Sequence, residues 1–253
     1  KFGFEASDIP RNLSISLGSP NVTPLSMARA YAVFANGGYL VDPYVIHSIT
    51  NQEGEVIFEK PQVVLCDDCE GKLEQEKINA VIQENKQLTA NYEIIQNLDI
   101  TSDDALQLDL SQDEEQQSDI SASTETIYPP RIIKAANQFI MESFLKEVIT
   151  RGTGRKALEL KRSDIAGKTG TTNEQRDAWF NGFHKDLVAH AWVGFDTPQA
   201  MGSGATGGAA ALPIWVDFMR VALEDLAVYN RPIPPGVVSA QIDLKTGKLA
   251  SSN

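Results

Sequence analysis

Apolar residues recur at helical spacing in three parts of the chain, each bounded by residues that start or stop helices. In the first part Thr23 suits an N-cap, Pro24 suits the first helical position and residues 36–38 provide a stop, which predicts a helix within 19–38. Its predicted apolar face consists of Leu25, Ala28, Ala32, Phe34 and Ala35. The second predicted helix, 132–150, has an apolar face of Ile133, Ala136, Ile140, Phe144, Leu145, Val148 and Ile149. A third helix is predicted over 211–228.

Runs of β-branched and aromatic residues predict strands between these helices. Residues 39–49, interrupted by Pro43, and residues 56–58 form a predicted hairpin around a turn at 53–54. Three more strands are predicted, at 165–171, 178–184 and 187–195. The last two are predicted to pair in antiparallel fashion. Helices on both sides of an antiparallel sheet indicate an α/β protein of the α+β type.

The middle of the chain has a different composition. Residues 61–128 hold 16 acidic and 3 basic residues, a net charge of −13 against −12 for the entire chain, so the remainder is almost neutral. Residues 72–88 are compatible with a helix, whereas 99–126 are polar, poor in aromatics and predicted to be disordered. These shifts predict three segments: 1–60, an acidic insertion at 61–128, and 129–253. The negative charge argues against general nucleic-acid binding.

Cys66 and Cys69 form a CxxC pair inside the acidic segment. Such a pair is a small disulfide in the periplasm, and a redox pair or half of a zinc site in the cytosol. No second CxxC or nearby histidine completes a zinc site. A structural bridge or two spectator thiols is the preferred interpretation, and we expect neither a metal nor a cofactor.

Residues 166–173 combine a cation, hydroxyls and glycine in a predicted edge strand. Because side chains alternate along a strand, Lys168 and Gly170 are predicted to lie on one face and Thr169 and Thr171 on the other. Twist at the edge can still gather the ammonium, both hydroxyls and the backbone N–H of Thr171 around one cleft. A side chain at Gly170 would block a ligand lying against the backbone. The pattern predicts a site for an anionic, peptide-like substrate that pairs with the strand.

K-T-G is one of three elements of penicillin-binding proteins and β-lactamases, beside S-x-x-K and an S-D-N type motif. The longer run GKTGTTN at 167–173, followed by DAWFNGF at 177–183, resembles the transpeptidase domain of bifunctional class A penicillin-binding proteins. Matches at 17–38 and at 145–155, which ends in RGTGR, support the resemblance. It covers roughly 1–60 and 129–253 and implies a serine β-lactamase/DD-transpeptidase-like fold, here incomplete, in which helices flank an antiparallel sheet.

The resemblance also implies roles for residues. Lys168 would supply positive charge and help proton transfer, and the hydroxyls of Thr169 and Thr171 would bind the carboxylate of a stem peptide or a β-lactam. The N–H of Thr171 would be one oxyanion donor. Trp179 is predicted to pack behind the strand rather than touch substrate, and Arg155 fits the lining of the cleft as well as an ordinary surface position.

The nucleophilic serine of the family is not identified in this chain. Ser143 and Lys146 have the S-x-x-K spacing, but Ser143 lies in the middle of a predicted helix, where its N–H is committed to the preceding turn. The S-x-N-like sequences at 19–21 and 251–253 are rejected by their positions in a loop and at the end of the chain. We therefore expect the isolated chain to be inactive, and a missing N-terminal part of the same protein to complete the site.

The activity implied by the resemblance is DD-transpeptidation of peptidoglycan stem peptides, which β-lactams would inhibit. It also implies a glycosyltransferase domain and an N-terminal membrane anchor outside this chain, with the domain on the periplasmic face of the bacterial inner membrane. One alternative enzyme is a serine β-lactamase or DD-carboxypeptidase, which transfers the acyl group to water. The alternative of another class is a non-catalytic penicillin sensor or an acidic binding module.

Overall fold

A computed structural model describes residues 2–18, 20–66, 82, 86, 126–243 and 245–249. The chain forms two compact units, one from Lys1–Tyr44 with Pro129–Asn253 and the other from Val45–Tyr128. The first break thus lies before the predicted boundary at 60, and the three-segment division stays a prediction.

A three-stranded antiparallel sheet forms the centre of the first unit. Its strands are β5 (Ala166–Thr171), β6 (Asp177–His184) and β7 (Leu187–Gly194), in the order β5-β6-β7. The predicted pairing of the last two strands is confirmed, with the turn at 185–186. Lys168 lies opposite Asn181, which lies opposite His190, so these three residues form one row across the sheet.

Helices cover both faces of this sheet, as the fold class predicts. Alternate residues of the strands enter two separate cores because successive side chains point to opposite faces. One core contains Phe180 with Trp215, Val216 and Met219 of the C-terminal helix. The other contains Phe183 and Ala166 with Ala35 and Leu145. The sheet therefore holds the strand with the K-T-G sequence between two packed layers.

Helix α1 spans Pro24–Ala35 and begins as predicted. The hydroxyl of Thr23 accepts a hydrogen bond from the N–H of Ser26 at 3.1 Å, which satisfies one of the free donors at the helix start. The predicted apolar face is partly wrong, because Leu25 is exposed and the fully buried positions are Ala30, Val33 and Ala35. The predicted strand at 39–49 is also wrong in this unit, since Tyr39 forms only an isolated bridge with Arg131.

Helix α2 spans Ala135–Thr150, and its buried face differs from the prediction. Ile140 and Phe144 are exposed, and the buried positions are Gln138, Glu142, Leu145 and Ile149. The two polar residues are buried because they belong to a hydrogen-bonded network. Glu142 accepts hydrogen bonds from Arg231 at 2.7 Å and from Gln138 at 2.9 Å, and lies 3.0 Å from the ammonium of Lys146.

These contacts keep Glu142 ionised. Burial raises its pKa, but the opposing hydrogen bonds and charges of Lys146 and Arg231 bring that pKa below its ordinary value. The same arginine donates to the carbonyl of Ala35 at 2.6 Å, so the network joins the end of α1, α2 and the C-terminal segment. Lys146 therefore has a structural partner, and Ser143 lies in mid-helix as expected.

Helix α3 spans Leu212–Ala222 and follows a π-helical turn at Gly207–Ala211. It ends before the predicted position 228. A buried ionic cluster lies beside its C-terminus: Arg162 donates to the carbonyls of Leu223 and Leu226 at 3.2 and 2.7 Å. Arg162 also donates to both oxygens of Asp164, at 2.9 and 2.7 Å, so one guanidinium links these two carbonyls to a buried carboxylate.

The described residues of the second unit form two small sheets. Strands β1 (Ser48–Thr50) and β2 (Val56–Glu59) form the predicted hairpin, and β3 (Gln62–Val63) pairs in parallel with β4 (Thr126–Ile127). Cys66 is disulfide-bonded, which agrees with a structural bridge. The predicted helix at 72–88 lies outside the described residues except for Ile82 and Lys86, which are helical. The predicted disorder at 99–126 also lies outside them, apart from Thr126.

Candidate functional site

The candidate site is built on β5, an edge strand of the sheet within the described part of the chain. Lys168 and Gly170 lie opposite Asn181 and Trp179, whereas Thr169 and Thr171 are the intervening positions. The predicted division of these four residues between the two faces of the strand is therefore confirmed. Contacts with neighbouring segments determine which groups of the strand are available to a ligand.

The hydroxyl of Thr171 has a defined orientation. Its oxygen accepts a hydrogen bond from the backbone N–H of Gly207 at 2.9 Å. A backbone N–H can only donate, so the proton of this hydroxyl remains available for a ligand. The site strand therefore presents a pre-oriented hydroxyl donor beside its open edge.

The Thr169 hydroxyl and the Lys168 ammonium lie close together. The Thr169 hydroxyl oxygen is 2.5 Å from that of Thr153. The ammonium of Lys168 donates to the carbonyl of Thr169 at 2.9 Å and lies 3.5 Å from its hydroxyl. The cation and this hydroxyl thus share one small region on the solvent side of the strand.

Strand geometry also directs the backbone of Thr171 outwards. The N–H of Thr172 donates to the carbonyl of Asp177 at 3.1 Å, which makes these two residues a hydrogen-bonded pair. Because such pairs alternate with non-bonded pairs in an antiparallel ladder, the N–H of Thr171 points away from β6. It is therefore placed to donate to a substrate at the edge.

A cleft of about 1110 Å³ opens beside the end of this strand. Its sheet-side lining includes Gly170, Thr171, Trp179, Asn181 and Trp192, and the N-terminal segment forms the opposite wall. Trp179 is among the residues that line the cleft, and its packing behind the strand rather than contact with substrate stays a prediction. Of the described residues in the site, Lys168, Thr169 and Arg155 do not line it.

Two polar atoms on this side of the sheet lack a hydrogen-bond partner. They are Oδ1 of Asn181 and Nδ1 of His190, which lie on directly opposed residues of β6 and β7. Asn181 is only 6% exposed. Burial lowers the pKa of His190, so the imidazole is neutral at pH 7. Buried polar atoms without a partner are costly, so this row of the sheet carries a cost in stability.

Thr153 and Gly207, which contact the strand hydroxyls, were not predicted from the sequence. Both lie in glycine-rich turns, at 152–154 and 202–208. Glycine marks positions where backbones approach closely, so these runs were an available signal. Their pairing with Thr169 and Thr171 is a tertiary contact that local sequence does not reveal.

Gly207 is expected to tolerate no side chain. A Cβ atom there would lie 2.4 Å from the carbonyl oxygens of both Gly170 and Trp179. Gly207→Ala is therefore expected to displace the turn and weaken the bond to Thr171, with overpacking costing about 1–3 kcal/mol of stability. Thermal melting gives the loss of stability.

Gly204→Ala is the matched control for this substitution. Gly204 is in the same loop and has φ +89°, so alanine is strained there, but nothing lies within 4 Å of the added Cβ. It should lower the melting temperature by less than Gly207→Ala does. Equal melting temperatures for Gly207→Ala and the unsubstituted protein would contradict the role given to this close approach.

No group of histidine, cysteine and acidic side chains suited to a metal ion occurs among the described residues. The site supplies two hydroxyls, one cation and one outward-facing backbone donor. These are suited to binding a carboxylate and stabilising negative charge on a carbonyl oxygen.

Comparison with known proteins identifies the chain's relatives. Residues 5–220 match the family model described as penicillin binding protein transpeptidase domain. Penicillin-binding protein 1A of Pseudomonas aeruginosa is 41% identical over 257 residues, covering 99% of this chain and 29% of that protein. The chain therefore spans less than a third of that relative's length.

Solved structures agree with this match. Penicillin-binding protein 1A from Haemophilus influenzae has a TM-score of 0.73 and 32% identity, covering 99% of this chain and 34% of that one. PonA1 from Mycobacterium tuberculosis in complex with penicillin V has a TM-score of 0.55 and covers 90% of this chain and 48% of that one. At 22% identity, the second likeness concerns the fold alone.

Proposed function

We propose, since the chain belongs to the family of penicillin-binding protein transpeptidase domains, that it forms the substrate-holding part of a serine DD-transpeptidase that cross-links peptidoglycan. The observation that carries this proposal is the edge strand β5, which directs the N–H of Thr171 outwards and holds the Thr171 hydroxyl by the N–H of Gly207. Thr171 then carries both a backbone N–H that can donate to an oxyanion and a hydroxyl that can donate to a carboxylate. That arrangement suits acyl transfer from a peptide that ends in a carboxylate.

The proposed reaction has two steps. A serine oxygen attacks the carbonyl carbon before the terminal D-Ala, the C–N bond breaks, and the leaving amine takes a proton as D-Ala departs. An amine of a neighbouring stem peptide then attacks the acyl ester, forms a new amide and returns a proton to the serine. In both steps the N–H of Thr171 donates to the oxyanion, and Lys168 supplies positive charge and assists proton transfer.

Substrate binding is proposed to use the same strand. The hydroxyls of Thr169 and Thr171 would donate to the terminal carboxylate of the stem peptide, or to the carboxylate of a β-lactam in its place. The absence of a side chain at Gly170 leaves the strand edge open. Its Cβ would lie only 3.2 Å from that of Trp179, so a larger residue would crowd the cleft.

The nucleophile is proposed to come from another part of the longer protein. The cleft beside Thr171 has aromatic walls, a feature that suits a packed protein segment. A helix carrying the S-x-x-K serine in this cleft would bring its hydroxyl to the N–H of Thr171. Ser143 cannot serve, because it lies in the middle of α2.

The cellular setting follows from the same proposal. Peptidoglycan substrates place the domain on the periplasmic face of the bacterial inner membrane, with the anchor and a glycosyltransferase domain in other parts of the protein. Within the described residues no helix has the length and apolar character to cross a bilayer. The disulfide-bonded Cys66 suits an oxidising compartment.

Penicillin acylation tests the function and the role of Thr171. The complete protein is expected to gain the mass of one penicillin, while the isolated 253-residue chain gains none. Thr171→Val in the complete protein should slow acylation by roughly tenfold or more, because it removes a hydrogen bond to a charged carboxylate. Intact-mass spectrometry over time gives the rates.

Thr171→Ser serves as the control, because it keeps a hydroxyl that can accept from Gly207 and donate to the carboxylate. It should retain most of the rate. Acylation of the isolated chain would refute the proposal that the nucleophile lies elsewhere. An unchanged rate for Thr171→Val would refute the role of its hydroxyl. Release of the acyl group to water with no amide product would favour a carboxypeptidase or β-lactamase instead.

A further inference from the structure

We propose that Thr153 is a positioning residue for substrate binding, which acts by donating its hydroxyl proton to Thr169. The inference rests on the proposed function, because it assumes that Thr169 binds a carboxylate. The two hydroxyl oxygens are 2.5 Å apart, although the residues are 16 positions apart in the chain. This distance lies at the lower end of the range for an O–H···O hydrogen bond.

The surroundings of Thr169 allow either hydroxyl to donate, and in the proposed arrangement the shared proton belongs to Thr153. The Thr169 hydroxyl lies 3.5 Å from the ammonium of Lys168, a group that can only donate. The hydroxyl oxygen of Thr169 therefore accepts in its contact with Lys168. If Thr153 also donates, the single proton of Thr169 stays free for a carboxylate at the strand edge.

The neighbouring threonine has the same arrangement. The Thr171 hydroxyl accepts from the N–H of Gly207, whose direction is fixed by its chemistry. Each of the two strand hydroxyls is thus supported from behind by one donor on a glycine-rich turn. Both protons can then point towards one carboxylate, and a hydrogen-bond chain strengthens each of its members.

Backbone contacts fix Thr153 firmly enough for this role. Gly152 and Gly154 donate to the carbonyls of Glu147 and Val148, at 3.0 and 2.9 Å, and so anchor the turn to the end of α2. On the other side, a Cβ at Gly208 would lie 2.9 Å from the carbonyl oxygen of Thr153. The hydroxyl is therefore presented by a turn whose backbone is held by the end of α2 and lies close to Gly208, while Thr153 itself is exposed.

The test compares two probes in the complete protein: benzylpenicillin, which has a carboxylate, and its methyl ester, which does not. Thr153→Val should slow acylation by benzylpenicillin roughly fivefold, because Thr169 loses the donor that orients its proton. The rate with the ester should not change. Thr153→Ser should restore the rate with benzylpenicillin, since it keeps the hydroxyl.

Two further variants separate positioning from damage to the fold. Thr150→Val makes the same change three residues earlier, where the hydroxyl contacts only the carbonyl of Glu147 in its own helix, and it should leave both rates unchanged. In a Thr169→Val background, Thr153→Val should cause no additional loss, because the two residues act as one unit.

The outcomes distinguish this proposal from the function on which it rests. If the unsubstituted protein forms no adduct with benzylpenicillin, the proposed function itself fails. If it forms the adduct and Thr153→Val slows both probes equally, Thr153 has only a structural role. An unchanged or faster reaction with benzylpenicillin would mean that Thr169 donates to Thr153, and would likewise overturn the proposal.

Discussion

Lys168→Met in the complete protein is expected to slow acylation by penicillin roughly 10²–10⁴-fold, the range typical of losing a group that moves protons. The methionine keeps most of the side-chain length but removes the ammonium, which lies 2.9 Å from the carbonyl of Thr169 and 3.5 Å from its hydroxyl. The strand would then have neither a cation for the carboxylate nor a group to assist the serine. The second-order rate constant is measured from the mass of the adduct.

Two controls identify what the ammonium contributes. Lys156→Met removes the same charge from an exposed position in the turn Arg155–Leu160 and should leave the rate unchanged. Lys168→Arg keeps the charge but replaces a compact proton donor with a guanidinium that remains protonated, so it should retain binding and lose most of the rate. If Lys168→Met reacts as fast as the unsubstituted protein, the assignment of Lys168 to the site is incorrect.

The elements that were predicted well are those specified by local chemistry. Thr23 caps α1 because its hydroxyl meets a donor three residues away, and the strands β5 to β7 follow from adjacent runs joined by short turns. The alternation of Lys168 and Thr169 between faces is likewise a property of the strand itself. Local rules were sufficient for each of these features.

The face of α2 could not be predicted in this way. Burial of Gln138 and Glu142 depends on Arg231, which is 89 residues from Glu142 in the chain. A hydrophobicity pattern counts both as solvent-facing and instead assigns Phe144 to the core, although its side chain is 60% exposed. Only the tertiary partner makes the polar positions the buried ones.

In the candidate site, too, local sequence predicts some features and tertiary contacts determine the others. The K-T-G sequence identified the strand, and the resemblance supplied roles for its residues. The groups that orient the hydroxyls are separated from them by 16 positions for Thr153 and by 36 for Gly207. The cleft position of Trp179 likewise follows from which side of the sheet the N-terminal segment covers, and a strand pattern is symmetric between its two sides.

The largest stability loss is expected for Asp164→Ala, at about 3–5 kcal/mol. The Asp164 side chain is 1% exposed, receives two bonds from Arg162 and accepts from the N–H of Tyr229 at 2.8 Å. Alanine would leave a guanidinium that is only 12% exposed without its counter-ion. Calorimetric melting should show the loss, at roughly 2–4 °C per kcal/mol for a domain of this size.

Asp217→Ala is the matched control for charge removal. Asp217 forms an ion pair with Arg220 at 2.6 Å, but its side chain is 73% exposed, so water replaces the lost contact. Its removal should cost about 0.2–1 kcal/mol. If both variants melt at the same temperature, the buried cluster does not have the stabilising role assigned to it.

The pH dependence of melting provides an independent test of the same cluster. Burial opposes ionisation of Asp164, but the hydrogen bonds from Arg162 and Tyr229 outweigh it and lower the pKa of this carboxyl below its ordinary value. Its stabilisation is therefore fully present above the unfolded-state pKa of about 4, and is lost as pH falls through the lower folded-state value. The difference in stability between the unsubstituted protein and Asp164→Ala should shrink over that acidic range.

His184 is expected to cause a second loss of stability on acidification, at a higher pH than the loss that belongs to Asp164. Its side chain is 1% exposed and its Nε2 lies 3.3 Å from Asp164, yet burial exceeds the attraction of the carboxylate and lowers the pKa of the imidazole. The imidazole therefore binds its proton at a higher pH in the unfolded state than in the folded state. The free energy of unfolding should begin to fall as pH drops below about 6.5. His184→Gln should remove this early loss and leave the later one, which belongs to Asp164. A single acid transition, unchanged by the His184 substitution, would contradict the buried neutral imidazole.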